Sequence, residues 1–294
     1  MQEVYHIPVL MNEVIENLNL KPGGTYLDVT FGGGGHSQAI LNAHPDIKLV
    51  GFDWDQNALD NAQPIIEKYE GRLQLYWGNF AHLYKIIKKH NLGPFDGILA
   101  DFGTSQFQIH KSDGFSVFNN TALDMRMSAS HFKTPASDIV NYASPEELRK
   151  IFWDYGEEKY TKPIVAAIVA RRKKKRFKTT QDLATLIEDV VGPKGHKIHP
   201  ATRVFQALRI VVNQELENIQ SFFPAAMKAL KPGGRLLCIS FHSLEDRMVK
   251  EFYREQEGLL KGKTTHKRAI MASEEELAQN KASRSAKLRV IEKK

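Results

Sequence analysis

Short apolar runs recur at regular spacing through the first hundred residues of the chain. Each run is followed by a stretch in which apolar residues return every three or four positions. The first pattern is typical of a buried strand and the second of an amphipathic helix. Their alternation predicts βαβ units, with a parallel sheet covered by helices on both faces. The predicted strands are residues 26–30, 48–53, 72–77 and 94–101, and the predicted helices between them are residues 37–42, 55–67 and 81–90.

The alternation stops after residue 101 and returns in the last third of the chain. Residues 256–282 show no clear periodicity and are expected to be flexible. We therefore predict a doubly wound α/β domain formed by residues 1–104 and 201–294, with an all-helical insertion at residues 105–200. The helical patterns of the insertion cover residues 137–142, 145–155, 162–172 and 180–190; a helix over 202–230, a fifth strand over 235–241 and a helix over 243–255 follow.

Four consecutive glycines, Gly32 to Gly35, lie between the first predicted strand and the next helix. A glycine turn at this place leaves backbone N–H groups and a bare main chain open to a ligand. The dinucleotide pattern G-x-G-x-x-G is incomplete, because Ser37 stands where its last glycine should be. Asp28 would repel a pyrophosphate but suits a cation, so S-adenosylmethionine fits better than a dinucleotide. A surface turn without a ligand is the alternative.

Three acids fall within or at the ends of successive predicted strands: Asp28, Asp53 and Asp101. Because ligands of such sheets bind at the carboxyl ends of the strands, the three acids are expected to share one site. Asp53 stands where an acid can bind both hydroxyls of a ribose, in an NAD enzyme or a methyltransferase alike. Phe80 offers a ring for an adenine, although a place in the core is equally open.

Asp101 is the candidate closest to chemistry. The exocyclic amine of a nucleobase is a weak nucleophile, because its lone pair is delocalised into the ring. A carboxylate that accepts its N–H would localise that pair and then receive the proton, as a general base does. Asp101 could instead hold the sulfonium end of the cofactor, or simply end its strand.

The charge of the chain favours a polyanionic partner. The formal net charge is +7, and residues 261–294 hold ten Lys or Arg against four Glu. Residues 171–178 hold seven basic side chains in eight positions. Such runs bind phosphates through charge and counterion release, although a solvated helix face has the same composition.

A polar stripe of Arg203, Gln206, Arg209 and Asn213 follows one face of a predicted helix, facing either a site or solvent. His242 and Ser243 follow the fifth predicted strand and should also open on its carboxyl edge. A lone histidine there is more often structural than catalytic. No cysteine accompanies the histidines at metal-binding spacing, so we expect no metal site.

The remaining features favour a cytoplasmic protein. The chain lacks an apolar run long enough to span a membrane and a start typical of a signal peptide, so no membrane partner is expected. Its single cysteine, Cys238, lies in an apolar run and is expected to be buried.

Ordered motifs along the whole chain resemble the RsmH (MraW) family of S-adenosylmethionine-dependent methyltransferases, which act on small-subunit ribosomal RNA. The motifs are Tyr5-His-Ile-Pro-Val-Leu, Thr30-Phe-Gly-Gly-Gly-Gly-His-Ser37, Ala122-Leu-Asp-Met-Arg-Met127, Lys197-Ile-His-Pro-Ala-Thr-Arg-Val-Phe-Gln-Ala-Leu-Arg209, Ile239-Ser-Phe-His-Ser-Leu-Glu-Asp-Arg247 and Arg284-Ser-Ala-Lys-Leu-Arg289.

The resemblance implies a Rossmann-like class I methyltransferase domain with a helical insertion for RNA recognition. It also implies methylation of the exocyclic N4 of a cytidine in the decoding centre. The substrate would be small-subunit ribosomal RNA, within a partly or fully assembled subunit, and a homodimer is compatible with it. Carried over by motif, the cofactor-binding positions are Gly34, Gly35, His36, Asp53, Phe80, Asp101 and Gln108, with Asp101 also the catalytic candidate.

Three positions depart from the pattern of that family. Gly33 replaces a bulkier residue in the glycine loop, and Gln106 and His110 replace a serine and an aspartate after the fourth strand. Two other hypotheses stay open. One is an NAD-dependent oxidoreductase, which would share the glycine turn and Asp53. The other, kept open by Gln106 and His110, is a non-catalytic RNA-binding assembly factor that keeps the fold.

Overall fold

The chain forms two compact units. The computed structural model describes residues 8–103, 113–129, 131–192 and 198–294. One unit, here the sheet unit, comprises Met1–Gly103 and Leu216–Lys294; the other, the helical unit, comprises Thr104–Glu215. The first division lies within a residue of the predicted one. The second prediction, a boundary after residue 200, is wrong by fifteen residues, because the next helix buries its apolar face in the helical unit.

The sheet unit is built on seven strands in the order β3-β2-β1-β4-β5-β7-β6. Strands β1 to β5 pair in parallel, and β7 runs antiparallel to both of its neighbours. The order reverses between the paired strands β1 and β4, which makes that edge the topological switch point. The strands are β1 Thr25–Asp28, β2 Lys48–Asp53, β3 Leu73–Trp77, β4 Phe95–Asp101, β5 Leu230–Ser240, β6 Gly262–Thr264 and β7 Lys287–Lys293.

Helices cover both faces of this sheet, as the alternating pattern predicts. Two separate clusters of buried apolar residues lie in the unit, one around Phe52 and Phe222 and the other around Tyr26 and Leu49. The helices are α1 Met11–Asn17, α2 Gly35–Ala43, α3 Gln56–Asp60, α4 Gln63–Lys68, α5 Leu83–His90, α11 Glu215–Ala229, α12 Ser243–Gly258 and α13 Glu274–Gln279. The doubly wound α/β class predicted from the sequence is confirmed.

Two long predicted helices are each interrupted. The pattern over 55–67 forms α3 and α4, because the chain turns at Asn61 and Ala62. The pattern over 202–230 forms two helices separated by Gln214, whose φ of 51° lies in the left-handed region and ends the first one. The boundary between the two units falls one residue later.

The basic C-terminal segment is part of the sheet. Strand β7 lies between β5 and β6, and its Leu288 and Ile291 are fully buried. The guanidinium of Arg289 pairs with Asp246 at 2.6 Å, and Lys293 Nζ donates to the carbonyl of Leu230 at 2.6 Å. The expectation of flexibility over residues 256–282 is wrong, since β6, α13 and a 3-10 turn form there.

The helical unit has a core of its own. Two of its helices begin at capping boxes, in which Ser144 pairs with Glu147 and Thr179 pairs with Asp182. Leu148, Ile168 and Leu208 are fully buried in one cluster. The helices are α6 Ala136–Tyr142, α7 Pro145–Asp154, α8 Thr161–Arg172, α9 Thr180–Val191 and α10 Thr202–Asn213.

The polar stripe of α10 serves the helical unit itself. Arg203 and Gln206 donate to the carbonyls of Glu157 and Tyr155. Asn213 is fully buried, where it accepts the N–H of Met127 and donates to the carbonyl of Met125, each at 2.8 Å. These side chains hold neighbouring segments in place, and Arg209 pairs with Glu215 at 2.8 Å. Only Asn213 is fully buried, so whether the partly exposed members of the stripe also face a site stays a prediction.

In the described ranges, no helix combines the length and the apolar character needed to cross a membrane.

Candidate functional site

The glycine turn connects β1 to α2 at the switch point of the sheet. Gly32 and Gly34 have φ values of 53° and 74°, which side chains rarely adopt, and Gly34 is the N-cap of α2. Gly35 is required for a different reason, because an added Cβ would lie 2.3 Å from Pro8 Cγ. Gly33 meets neither limit: an added Cβ there has no atom within 4 Å. The departure at position 33 therefore leaves the conformation of the turn unchanged.

Asp28 fixes this turn from inside the protein. Its side chain is buried, and its Oδ2 accepts the hydroxyl of Ser37 at 2.7 Å. Its Oδ1 accepts the N–H of Thr30 at 3.1 Å. Burial raises the pKa of Asp28, while the Ser37 hydroxyl opposes that rise. Both oxygens are therefore used to hold the turn on the end of β1.

Asp53 joins the turn to the end of β2. Its Oδ2 accepts the N–H of Gly32 at 2.7 Å, and its Oδ1 accepts the N–H of Asp55 at 2.8 Å. Burial raises the pKa of Asp53 to about 6, even though both N–H groups favour the ionised form. The two bonds fix the orientation of a carboxylate that retains lone pairs for further donors.

Asp101 ends β4, next to β1. Its backbone N–H donates to Thr30 Oγ1 at 2.8 Å, which ties the strand end to the glycine turn. Its Oδ1 is shielded from solvent and has no hydrogen-bond partner among the described residues. Burial raises the pKa of Asp101 well above its usual range, and the nearby carboxylates of Asp28 and Glu245 raise it further.

His36 presents its ring to Asp101. Its Nε2 lies 2.8 Å from the carbonyl of Val9, and its Nδ1 lies 3.9 Å from Asp101 Oδ2. Burial lowers the pKa of His36, so the neutral ring is favoured. The carbonyl of Val9 then requires the proton on Nε2, which leaves Nδ1 as an acceptor facing the carboxyl group.

Glu245 is a site residue that the sequence reasoning missed. It is fully buried at the start of α12, and its Oε2 accepts the N–H of Phe241 at 2.7 Å. With His242 it forms a capping box, whose sequence signal is the glutamate three residues after the cap. His242 is thus a helix cap, in line with the structural interpretation of a lone histidine. What the sequence could not indicate is that Glu245 lies close enough to raise the pKa of Asp101.

Phe80 lies beyond the end of β3. Asn79 accepts the N–H of Ala81 at 2.8 Å and begins the short 3-10 turn that carries Phe80. The Phe80 ring is partly buried, with its centroid 5.8 Å from that of Phe102 and 5.6 Å from that of Phe222. It packs on the core, and whether its remaining face contacts an adenine stays a prediction. Gln108 lies outside the described residues, as do Gln106 and His110.

The structure thus brings the three predicted acids to adjacent strand ends, in the order β2, β1, β4. The ionisable side chains at and beside these three strand ends are the carboxyl groups of Asp28, Asp53 and Asp101 and the neutral imidazole of His36. This set suits a ligand that carries positive charge and would repel a pyrophosphate. The unpartnered Oδ1 of Asp101 and the oriented carboxylate of Asp53 therefore fit S-adenosylmethionine better than a dinucleotide.

Comparison with known proteins decides the family. The profile described as the MraW methylase family matches residues 3–294. The chain belongs to the MraW methylase family. A relative from Carboxydothermus hydrogenoformans, named Ribosomal RNA small subunit methyltransferase H, is 43% identical over 99% of this chain and 98% of its own. Relatives of the same name from Nostoc punctiforme and Cyanothece sp. are 47% and 46% identical, over 98% and 99% of this chain and 94% and 95% of their own.

Membership of the MraW methylase family confirms the prediction of an S-adenosylmethionine-dependent methyltransferase. The hypothesis of an NAD-dependent oxidoreductase is wrong. A solved rRNA methylase from Streptococcus thermophilus aligns with 96% of this chain and 93% of that chain, at 12% identity and a TM-score of 0.42. The fold assignment rests on the strand order described above.

Proposed function

We propose that this enzyme transfers a methyl group to the exocyclic N4 amine of a cytidine in small-subunit ribosomal RNA. The relatives named above supply the class of RNA, and the motif resemblance supplies the atom. The observation that carries the proposal is the carboxylate of Asp101, which ends β4 at the switch point with its Oδ1 unpartnered among the described residues. The carboxyl group as a whole is partly exposed, and a carboxylate is an acceptor suited to the N–H of an amine.

The residues around the glycine turn would hold the cofactor. Asp53 would accept the ribose hydroxyls, and Phe80 would lie against the adenine. Gly34, Gly35 and His36 would let the cofactor approach the main chain, and Gln108 joins them through the motif resemblance alone. S-adenosylmethionine supplies a methyl group that its sulfonium has already activated. The protein therefore needs to position the acceptor and to exclude water.

Asp101 would accept an N–H of the target amine, localise its lone pair and take the proton that the methylated nitrogen releases. Its raised pKa makes the ionised carboxylate a stronger base than an ordinary aspartate. The lone pair of His36 Nδ1 faces the same carboxyl group at 3.9 Å, which is beyond hydrogen-bond distance, so Asp101 itself would hold the proton until the product leaves.

The target base must leave its stack before it reaches this edge of the sheet. A base presented by a partly or fully assembled subunit would satisfy that need, and such a substrate fits the cytoplasmic location predicted from the sequence. That the protein forms a homodimer stays a prediction.

The decisive experiment incubates the protein with tritiated S-adenosylmethionine and small subunits that lack the modification, then digests the RNA to nucleosides. We expect label in N4-methylated cytidine, and its loss with Asp101→Asn. Label in another nucleoside would show that the methyl group is transferred to a different acceptor atom. Cofactor binding without transfer to subunits or free RNA would favour the assembly factor instead.

A further inference from the structure

The basic turn, residues 173–178, connects α8 to α9 and is rigidly held. Phe177 is buried beneath it. The side chain of Asn141 accepts the N–H of Phe177 at 3.0 Å and donates to its carbonyl at 2.8 Å. These contacts fix the turn at its centre. Its charged side chains are therefore presented on an ordered backbone, which lowers the entropic cost of binding a ligand.

The two arginines before the turn are used to build this scaffold. Arg171 pairs with Asp182 and lies over the ring of Phe177, 4.5 Å from its centroid. Arg172 donates to the carbonyls of Val140 and Ala143, at 3.0 and 2.8 Å, and so caps the end of α6. Neither guanidinium is left to bind a polyanion.

The lysines of the turn have a different environment. Lys173, Lys174 and Lys175 are exposed and follow directly after α8. Among the described residues, no carboxylate lies within ion-pair distance of these three lysines. A positive charge at the C-terminus of a helix interacts favourably with the helix dipole, and one lysine would be enough for that interaction. Three adjacent lysines without acidic partners repel one another, which a bound anion would relieve.

An exposed aromatic ring lies beside the turn. Tyr142 is 60% exposed at the end of α6. The guanidinium of Arg176 lies 4.9 Å from the centre of its ring and donates to its hydroxyl. The contact holds Tyr142 in one orientation while most of its surface faces solvent. A fixed aromatic ring next to cationic side chains is the arrangement on which unpaired bases stack.

We propose that the basic turn and Tyr142 form a binding surface for single-stranded RNA. The three lysines contact successive phosphates, and one unpaired base stacks on Tyr142. The surface belongs to the helical unit, whereas the carboxylate site belongs to the sheet unit. Its ligand class rests on the proposed function, in which the substrate is RNA.

The test compares two triple variants by fluorescence anisotropy with a labelled, unstructured RNA oligonucleotide. The first variant is Lys173→Gln, Lys174→Gln and Lys175→Gln. The matched control is Lys85→Gln, Lys88→Gln and Lys89→Gln, which removes three exposed lysines from α5 of the sheet unit. We expect the first variant to bind about tenfold more weakly, and its salt dependence to lose a slope of about 2. The control should remain within about twofold of the parent. Equal weakening of both variants would overturn the proposal.

Tyr142 separates stacking from charge. Tyr142→Ala should weaken RNA binding about tenfold with an unchanged salt slope, whereas Tyr142→Phe should bind like the parent. If Tyr142→Ala binds normally, the ring takes no part. Thermal unfolding checks that each variant folds.

Methyl transfer provides the second readout. In transfer assays the lysine variant should raise KM for RNA and leave kcat near the parent value. If the parent transfers no methyl group but the anisotropy results hold, the proposed function fails while the binding surface stands. If transfer occurs and neither KM nor anisotropy changes in the lysine variant, the binding surface fails alone.

Discussion

Two aspartates of β4 have opposite electrostatic environments. Asp101 is partly buried near other carboxylates, and its pKa is raised by burial. Asp96 accepts from Lys231 Nζ at 2.8 Å and from the N–H of Thr25 at 2.9 Å; its pKa is lowered by these bonds, which outweigh its burial. A raised carboxyl pKa means that the folded state binds the proton more tightly than the unfolded chain. Stability from that group is therefore greatest below the ordinary pKa and falls as pH rises through the raised value.

Asp101→Asn should therefore separate stability from activity. Above the raised pKa of Asp101 the variant loses a partly buried charge, so its Tm should rise by about 2 °C or more. That gain should shrink as pH falls through the raised pKa, because the parent carboxyl group then takes up its proton. kcat should fall about 100-fold or more through loss of the base. Calorimetry over a series of pH values and a transfer assay measure this, and a gain in Tm that grows as pH falls would contradict it.

Asp96→Asn is the matched control on the same strand. Its lowered pKa stabilises the protein above the ordinary carboxyl pKa, and this contribution is lost as pH falls through the lowered value. The variant should thus be less stable than the parent at pH 8, by about 1 kcal/mol, and should bind the cofactor normally.

The raised pKa of Asp53 predicts how cofactor binding depends on pH. With a pKa of about 6, it is ionised at pH 8 and mostly protonated at pH 5. An ionised carboxylate accepts hydroxyl hydrogen bonds more strongly than the protonated form. Affinity for S-adenosylmethionine should fall as pH drops through about 6. Titration calorimetry at both pH values measures the change, and Asp53→Asn should flatten it; an equally steep profile in that variant would assign the dependence to another group.

The glycines of the turn differ from one another in a testable way. Gly35→Ala places a methyl group against Pro8 and should cost about 1 to 3 kcal/mol of unfolding free energy, with weaker cofactor binding. Gly33→Ala adds the same group in open space and should change stability by less than about 0.5 kcal/mol. Urea unfolding with cofactor titration tests the pair. Equal losses of stability at the two positions would show that the contact between the added methyl group and Pro8 is not the cause of the loss at position 35.

Strand β7 is an element that the sequence pattern does not predict. Strands β1 to β5 are recognisable because their apolar runs are long and flanked by helical patterns. In β7, Lys287, Arg289 and Lys293 alternate with apolar residues and make the segment resemble a basic tail. Its place depends on partners far along the chain, such as Arg235 with Glu292 at 3.0 Å. Local periodicity contains no information about those pairs.

Substitutions in β7 distinguish a structural strand from a basic RNA-binding tail. Leu288 is fully buried, so Leu288→Ala should cost about 2 to 5 kcal/mol of unfolding free energy. Lys287 is partly exposed and 3.5 Å from Asp246, so Lys287→Ala should cost less than about 1 kcal/mol. Chemical denaturation measures both. If Leu288→Ala unfolded like the parent and Lys287→Ala weakened RNA binding strongly, the segment would act as a tail after all.

The sequence predicts those residues of the candidate site that lie at the ends of strands. Asp28, Asp53 and Asp101 follow from three strand boundaries and the rule that parallel strands share one carboxyl edge. The contact of His36 with Val9 and the approach of Glu245 to Asp101 are tertiary and have no local signal. The pKa of Asp101 is raised first by burial and then by Asp28 and Glu245, and burial is also set by tertiary packing. The sequence therefore predicts the identity of the candidate base but not its basicity.

At the scale of the whole molecule, each unit has its own apolar core, and the candidate chemistry is divided between them. The carboxylate site lies in the sheet unit, and the basic turn lies in the helical unit. Near the C-terminus, Lys287 and Arg289 pair with Asp246, and Lys293 donates to the carbonyl of Leu230. These three cations of strand β7 are therefore used within the sheet unit, whereas Lys173, Lys174 and Lys175 of the basic turn have no carboxylate within ion-pair distance among the described residues.

Separate cores predict that the cofactor stabilises one unit selectively. A ligand at 100 times its Kd adds about 2.7 kcal/mol to the state that binds it. Hydrogen exchange of core amides at Leu27 and Leu99 should then slow about 100-fold with S-adenosylmethionine, while amides at Ile168 and Leu183 slow less than about twofold. NAD at the same concentration is the control and should slow neither set. Equal slowing in both units would show that they unfold together, because only a shared unfolding step passes the binding energy of one unit to the other.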